Sequence, residues 1–131
     1  MKILIVDDTP SMRMVLIHML KNLGYHDNDE AGGGALALKM LREKNYDLLI
    51  TDLHMPNPNG QQLLKKIRGD DSLKSLPVLM VSCEDDKEVI MKLIALKVTG
   101  FMMKPFNLKT LERQLKMISK SYLSGIVDNV E

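Results

Sequence analysis

Four short apolar runs punctuate the chain: Ile3-Leu4-Ile5-Val6, Leu48-Leu49-Ile50, Val78-Leu79-Met80-Val81 and Phe101-Met102-Met103. Each has the length of a strand. Between and after them, apolar residues recur at spacings of three and four: Met12, Val15, Leu16, Met19, Leu20 and Leu23, then Leu63, Leu64 and Ile67, then Leu108, Leu111, Leu115 and Ile118. This spacing predicts amphipathic helices. A strand that is apolar at consecutive positions is buried on both faces, and helices in the intervals supply the cover. The pattern therefore predicts an α/β fold on a parallel sheet.

One strand in that alternation is polar. Tyr25-His26-Asp27-Asn28-Asp29-Glu30-Ala31 has the place of a second strand but not the composition of one. It suits a sheet edge, where one side meets water and charge discourages pairing with another chain. Gly32-Gly33-Gly34 follows and reads as a flexible turn into a helix from about Ala35 to Lys44. With no Lys-Ser or Lys-Thr after them, these glycines lack the form of a phosphate-cradling loop. There is no internal repeat and no low-complexity linker. From Tyr122 to Glu131 the periodicity is lost, so residues 1–121 are expected to form the domain and 122–131 a frayed C-terminal tail.

Composition narrows the partners. The 131 residues are 45% apolar and 27% charged, which suits one domain with a substantial core. Lys and Arg number 18 against 17 Asp and Glu, a net charge of +1, so no basic field draws the chain to nucleic acid or to a membrane. Direct DNA binding and membrane association are not expected. Cys83 is alone, no apolar run approaches the roughly 18 residues of a membrane span, and Asp7-Asp8 breaks the N-terminal run too soon for a signal peptide. A cytoplasmic location is expected. Eleven methionines and no tryptophan describe a soft aliphatic core.

The chemistry lies in what ends each strand: Asp7-Asp8, Thr51-Asp52, Ser82 and Lys104-Pro105. The carboxyl ends of parallel strands share one rim, and ligands of open sheets bind there. Asp7, Asp8 and Asp52 brought together either raise a carboxyl pKa or demand a cation. An open set of oxygen ligands suits magnesium, which keeps several waters, better than a calcium cage. His18, His26 and His54 do not form a zinc set with Cys83. A carboxylate nucleophile beside magnesium is an arrangement for phosphoryl transfer through an aspartyl phosphate. Lys104 would neutralise charge on the phosphoryl oxygens and Ser82 would donate to one of them. Taken singly, Asp8 and Ser82 could be helix caps and Lys104 a surface charge. Four such placements at four strand ends favour the functional reading.

These residues resemble the response-regulator receiver family, in particular its single-domain chemotaxis type. Val6-Asp7-Asp8, Thr51-Asp52-Leu53-His54-Met55-Pro56, Gly60 three residues beyond Asn57, Pro77 to Ser82 and Lys104-Pro105-Phe106 carry the resemblance, which covers residues 1 to about 120. It implies a doubly wound, flavodoxin-like (βα)5 fold with five parallel strands in the order 2-1-3-4-5. It also implies that Asp52 accepts phosphate from a histidine kinase. Asp8 would bind magnesium directly, Asp7 would help through water, and the His54 carbonyl would be a further ligand. Lys104 would contact the phosphoryl group. Ser82 and Phe101 would form the switch, and His54 and Glu84 stand where the family tunes dephosphorylation. The family's Lys-Pro bond is usually cis.

The departures are specific. Phe101 has no hydroxyl, so an output that needs a tyrosine hydrogen bond is in question. Lys97 replaces the glycine usual at a helix end, and an altered cap is expected there. Asn57-Pro58-Asn59 stiffens the loop after the site. In the fourth helix, Lys87, Lys92 and Lys97 are spread around the axis among Val89, Ile90, Met91, Leu93, Ile94 and Leu96, so Met91 and Ile94 are expected to be exposed. With Lys87, Ile90 and Phe101 they would offer a partner surface. The chain reads as a stand-alone receiver without an output domain, catalysing only its own phosphoryl transfer and dephosphorylation. It would signal by binding a protein, a flagellar motor switch being the first guess. A receiver-like scaffold that is never phosphorylated is the nearest rival. A small aspartate-nucleophile phosphatase would want Asp where Thr9 stands, and a flavin carrier would not put Asp7 and Asp8 against an anionic phosphate.

Overall fold

Strands that are apolar on both faces need helices on both sides, and the chain supplies them in strict alternation. The computed structural model describes the backbone of residues 1–130 and the side chains of residues 1–120. The elements in chain order are β1 (Lys2–Val6), α1 (Pro10–Asn22), β2 (Asp27–Ala31), α2 (Gly34–Glu43), β3 (Leu48–Asp52), α3 (Gly60–Arg68), β4 (Val78–Ser82), α4 (Lys87–Ala95), β5 (Gly100–Met103) and α5 (Leu108–Val130). All strand pairs are parallel, in the order β2-β1-β3-β4-β5. The expected class and strand order are those observed. The frayed tail expected over residues 122–131 lies outside the residues whose side chains are described.

The period of two along each strand divides the core. Leu4, Val6, Leu49, Val78 and Met80 pack with α2, α3 and α4. Ile3, Ile5, Leu48, Ile50, Leu79 and Val81 pack with α1 and α5. At the edge, β2 buries only Ala31. Its acidic residues find neighbours instead: Asp29 accepts a hydrogen bond from the Tyr46 hydroxyl at 2.5 Å and lies 3.6 Å from the Lys44 ammonium. That hydrogen bond, aided by Lys44, holds the Asp29 carboxyl below its usual range. No helix among the described residues is long and apolar enough to cross a membrane.

Two local expectations need correction. The third glycine of the Gly32-Gly33-Gly34 run is not there for flexibility. Gly34 is buried as the first residue of α2, and a Cβ on it would lie 2.6 Å from the Pro58 carbonyl oxygen. Its bareness lets α2 pack on the loop after β3. The cap of α4 is also not altered. Lys97 keeps the left-handed backbone, with φ at 62°, and the helix closes with the paired bonds of a Schellman motif, Lys97 N–H to the Ile94 carbonyl and Val98 N–H to the Leu93 carbonyl. Arg68 supports this turn from α3, donating to the Lys97 carbonyl through Nε at 3.1 Å and Nη2 at 3.0 Å, and to the Leu76 carbonyl at 2.7 Å.

Lys97→Gly therefore relieves a steric penalty of about 1–2 kcal/mol and gives back part of it through the freer unfolded chain, for a net gain of about 0.5–1 kcal/mol. Urea unfolding of the two proteins measures the difference, with an unchanged m-value expected.

Candidate functional site

Four strand ends build the rim. β1 delivers Asp7 and Asp8, β3 delivers Asp52, β4 ends at Ser82, and Lys104 follows β5 directly. One carboxylate oxygen from each of Asp7, Asp8 and Asp52 lies within 4.8 Å of the other two. The Lys104 ammonium faces this cluster at 3.3 Å from Asp52 Oδ2 and 3.5 Å from Asp7 Oδ2. Burial alone would lower the Lys104 pKa. The opposing charges of Asp52 and Asp7 outweigh it and hold the ammonium above its ordinary range.

The cap readings of these residues do not survive the geometry. The N-cap of α1 is Thr9, followed by Pro10, and the N-cap of α4 is Asp86, which accepts from the Glu88 amide at 2.9 Å. Asp8 and Ser82 cap neither helix. Asp7 is nearly fully buried, at 2% exposure, while Asp8 is exposed. The Asp7 Oδ1 atom accepts from the Thr9 amide at 2.8 Å, which leaves its second oxygen to Lys104. Around Asp52 the contacts are longer: the His54 amide stands 3.4 Å from Oδ1.

The remaining predicted residues surround this centre. Ser82 is wholly buried; its Oγ accepts from the Glu84 amide at 3.1 Å and its carbonyl accepts from the Lys104 amide at 2.9 Å. His54 Nε2 lies 3.9 Å from Glu84 Oε1, so these two side chains approach each other at the mouth. Phe101 is half-buried against the core beneath α2, α3 and α4. On α4 only Leu93 is buried; Met91 and Ile94 are 63% and 57% exposed, as the helical wheel predicts, with Lys87 exposed and Ile90 half-buried. The Lys104–Pro105 and Asn57–Pro58 bonds are cis.

Three carboxylates against one ammonium leave the cluster formally at 1 − 3 = −2 when all are ionised. The donor set suits a hard divalent ion. The three carboxylates, with oxygens within 4.8 Å of one another, are compact enough to share one such ion.

Sequence reasoning gave Gly60 no role beyond carrying the resemblance, and it missed Arg13. Gly60 packs on the strand end itself: a Cβ there would collide with the Asp52 carbonyl oxygen and lie 2.7 Å from the Leu53 Cα. Arg13 reaches back from α1 to the Asp7 carbonyl at 2.6 Å. The signal for Arg13 was its place one turn into the helix after β1, because helical side chains lean toward the N-terminus.

Comparison with known proteins agrees with this geometry. The family described as "Response regulator receiver domain" matches residues 3–116. The chain is 43% identical to chemotaxis protein CheY-3 of Vibrio cholerae, over 90% of this chain and 91% of that one. It is 42% identical to chemotaxis protein CheY of Pseudomonas aeruginosa, over 90% and 95% respectively. Among solved structures, chemotaxis protein CheY4 of Vibrio cholerae superposes with a TM-score of 0.83 at 33% identity, covering 89% of this chain and 97% of that one.

Two outcomes follow from the packing and charge of the rim. Gly60→Ala forces the end of β3 aside, and urea unfolding should show a loss of about 2 kcal/mol. The Lys104 pKa is raised on folding, so the stability it contributes is fully present below its unfolded value of 10.5 and is lost as pH rises through the higher folded value. The unfolding free energy of the wild type, measured against Lys104→Met, should accordingly be steady below about pH 10 and decline above 10.5.

Proposed function

The chain belongs to the response regulator receiver family and is homologous to chemotaxis response regulators, and on that premise we propose that it is a switch set by phosphate on Asp52, which a histidine kinase donates. The observation that carries the reading is the convergence of Asp7, Asp8 and Asp52 within 4.8 Å of one another, with Lys104 over two of them.

In the proposed reaction a carboxylate oxygen of Asp52 attacks the phosphorus of the phosphohistidine. The nitrogen–phosphorus bond breaks and an acyl phosphate forms. Asp8 and Asp52 would hold magnesium directly, Asp7 would hold it through water, and the His54 carbonyl would add a ligand. Magnesium when bound neutralises charge on the transferring oxygens. Lys104 carries a charge fixed above its usual pKa and would pair with a phosphoryl oxygen. Asp7, already engaged at both carboxylate oxygens, is better placed to orient than to attack. His54 and Glu84, facing each other at the mouth, would govern the approach of the hydrolytic water.

The Ser82 Oγ accepts from a loop amide, and no described residue takes its proton, so the hydroxyl is free to donate to a phosphoryl oxygen. Phe101 would follow into the core. The exposed face of α4, with Lys87, Ile90, Met91 and Ile94, would then change its fit to a target protein. The flagellar motor switch is the first target to test. We assign the receiver unit to residues 1–121 with 122–131 as a tail, and the cytoplasm as its place of work.

Binding of beryllofluoride with magnesium tests the switch, read as amide shifts by NMR. Shifts that begin at Asp7, Asp8 and Asp52, reach Phe101 and α4, and vanish in Asp52→Asn are expected. A wild type that shows no magnesium-dependent change would instead be a scaffold on the same fold.

A further inference from the structure

Asp7 is held at every polar atom, and one of its holders has no part in the chemistry above. Its amide donates to the Ala31 carbonyl at 3.2 Å, Oδ1 accepts from Thr9 at 2.8 Å, Oδ2 faces Lys104 at 3.5 Å, and its carbonyl accepts from Arg13 Nη1 at 2.6 Å. The Arg13 side chain is only 16% exposed, and its Nε donates to Glu30 Oε1 at 2.7 Å. Beside it Gly32 leaves room, since even a Cβ there would lie 3.6 Å from Nη1. One guanidinium thus ties α1 to the ends of both β1 and β2.

The carbonyl that Arg13 grips belongs to the peptide joining Asp7 to Asp8. That unit is planar and ends at the Asp8 Cα, so fixing its oxygen fixes where that Cα sits and the bond that leads into it, the base on which the Asp8 side chain is hung. Asp8 is exposed, and no hydrogen bond holds its carboxylate among the described residues. Placement of its backbone is therefore what the fold contributes to presenting it. On charge grounds a guanidinium is a poor neighbour for a cation site, because it repels the ion it adjoins. Its fork, shared between the Asp7 carbonyl and Glu30, answers instead to a need for orientation.

We propose that Arg13, oriented by Glu30, is a positioning residue that presets the Asp7-Asp8 peptide for a divalent cation. The proposal rests on the reading of the acidic rim as a magnesium site. Charge and positioning predict opposite signs for its removal. Deleting a nearby positive charge should tighten magnesium, whereas deleting a splint behind the ligands should loosen it about tenfold, the usual size of a supporting-residue effect.

Magnesium titrations of the whole chain, followed by amide shifts at low and moderate salt, compare the wild type with Arg13→Ala, Arg13→Lys and Glu30→Gln. The spectrum without magnesium confirms the fold of each. We expect about tenfold weaker binding in Arg13→Ala. Arg13→Lys should be similarly impaired, because it keeps the charge and loses the fork. Glu30→Gln, which keeps an acceptor for Nε, should lose less. Should Arg13→Ala fail to fold, Arg13→Lys decides the matter. Unchanged or tighter binding in the Arg13 variants, beside a wild type that binds, overturns this inference alone. A wild type with no magnesium-dependent shifts at Asp7, Asp8 and Asp52 overturns the cation reading and this inference together.

Discussion

A carboxylate with 2% of its surface in water is tolerable only where its charge and lone pairs are answered, and Asp7 is that carboxylate. Its partners come from four places: the end of β2, the turn into α1, α1 itself and the residue after β5. Keeping them in place requires the strand ends to stay in register. Lys104 must reach across the end of β4 to face both Asp52 and Asp7, and the residue there is Ser82, small and wholly buried, whose carbonyl accepts the Lys104 amide. The rim and the sheet are therefore one construction, since a slip of one strand would leave a buried charge without its answer.

The strain in the molecule is carried away from this rim. Lys97 adopts a left-handed backbone that glycine would hold more cheaply, and Arg68 grips its carbonyl with two donors from the neighbouring helix. Close to the rim the opposite solution is used. Gly60 and Gly34 remove side chains where α3 meets the end of β3 and where α2 meets Pro58, so the loop carrying His54 is pressed between two helix starts without a displaced backbone. Proximity at the site is obtained by omission and tolerance elsewhere by added hydrogen bonds.

Much of this was legible in the sequence, and the reasons differ by level. Apolar runs buried on both faces leave one class of fold, and a polar second strand has one comfortable position, so the sheet and its edge could be read directly. The acids, serine and lysine ending the strands were legible because parallel topology sends every carboxyl end to one side. Other features depend on packing that no local pattern encodes. The close seat of Gly34 against Pro58 joins residues far apart in the chain, as does that of Gly60 against Asp52. The Lys97 turn kept its ordinary cap because Arg68, 29 residues earlier, supplies the bonds that stabilise it. Arg13 went unread because, although its place one turn into α1 lets it reach back to β1, its role depends on where β2 places Glu30.

The two halves of the rim are held unequally. On the Asp7 side the amide and Arg13 contacts are short and the groups nearly or mostly buried. Lys104 is no tighter on one acid than on the other, 3.5 Å from Asp7 and 3.3 Å from Asp52, but Asp52 lacks the short bonds that hold Asp7: its other contact is the His54 amide at 3.4 Å, where a hydrogen bond has lost much of its strength. The Ser82 hydroxyl is engaged with a loop amide, and the His54 and Glu84 side chains meet only at 3.9 Å. A group added to Asp52 would thus find three sets of partners that give up little in turning toward it. Asp7, held by the short bonds from Thr9 and Arg13, would stay where it is. A fixed half that orients and a loosely bound half that can exchange partners are what a switch requires: were both rigid, the change at Asp52 would stop there, and were both loose, it would have nothing to act against.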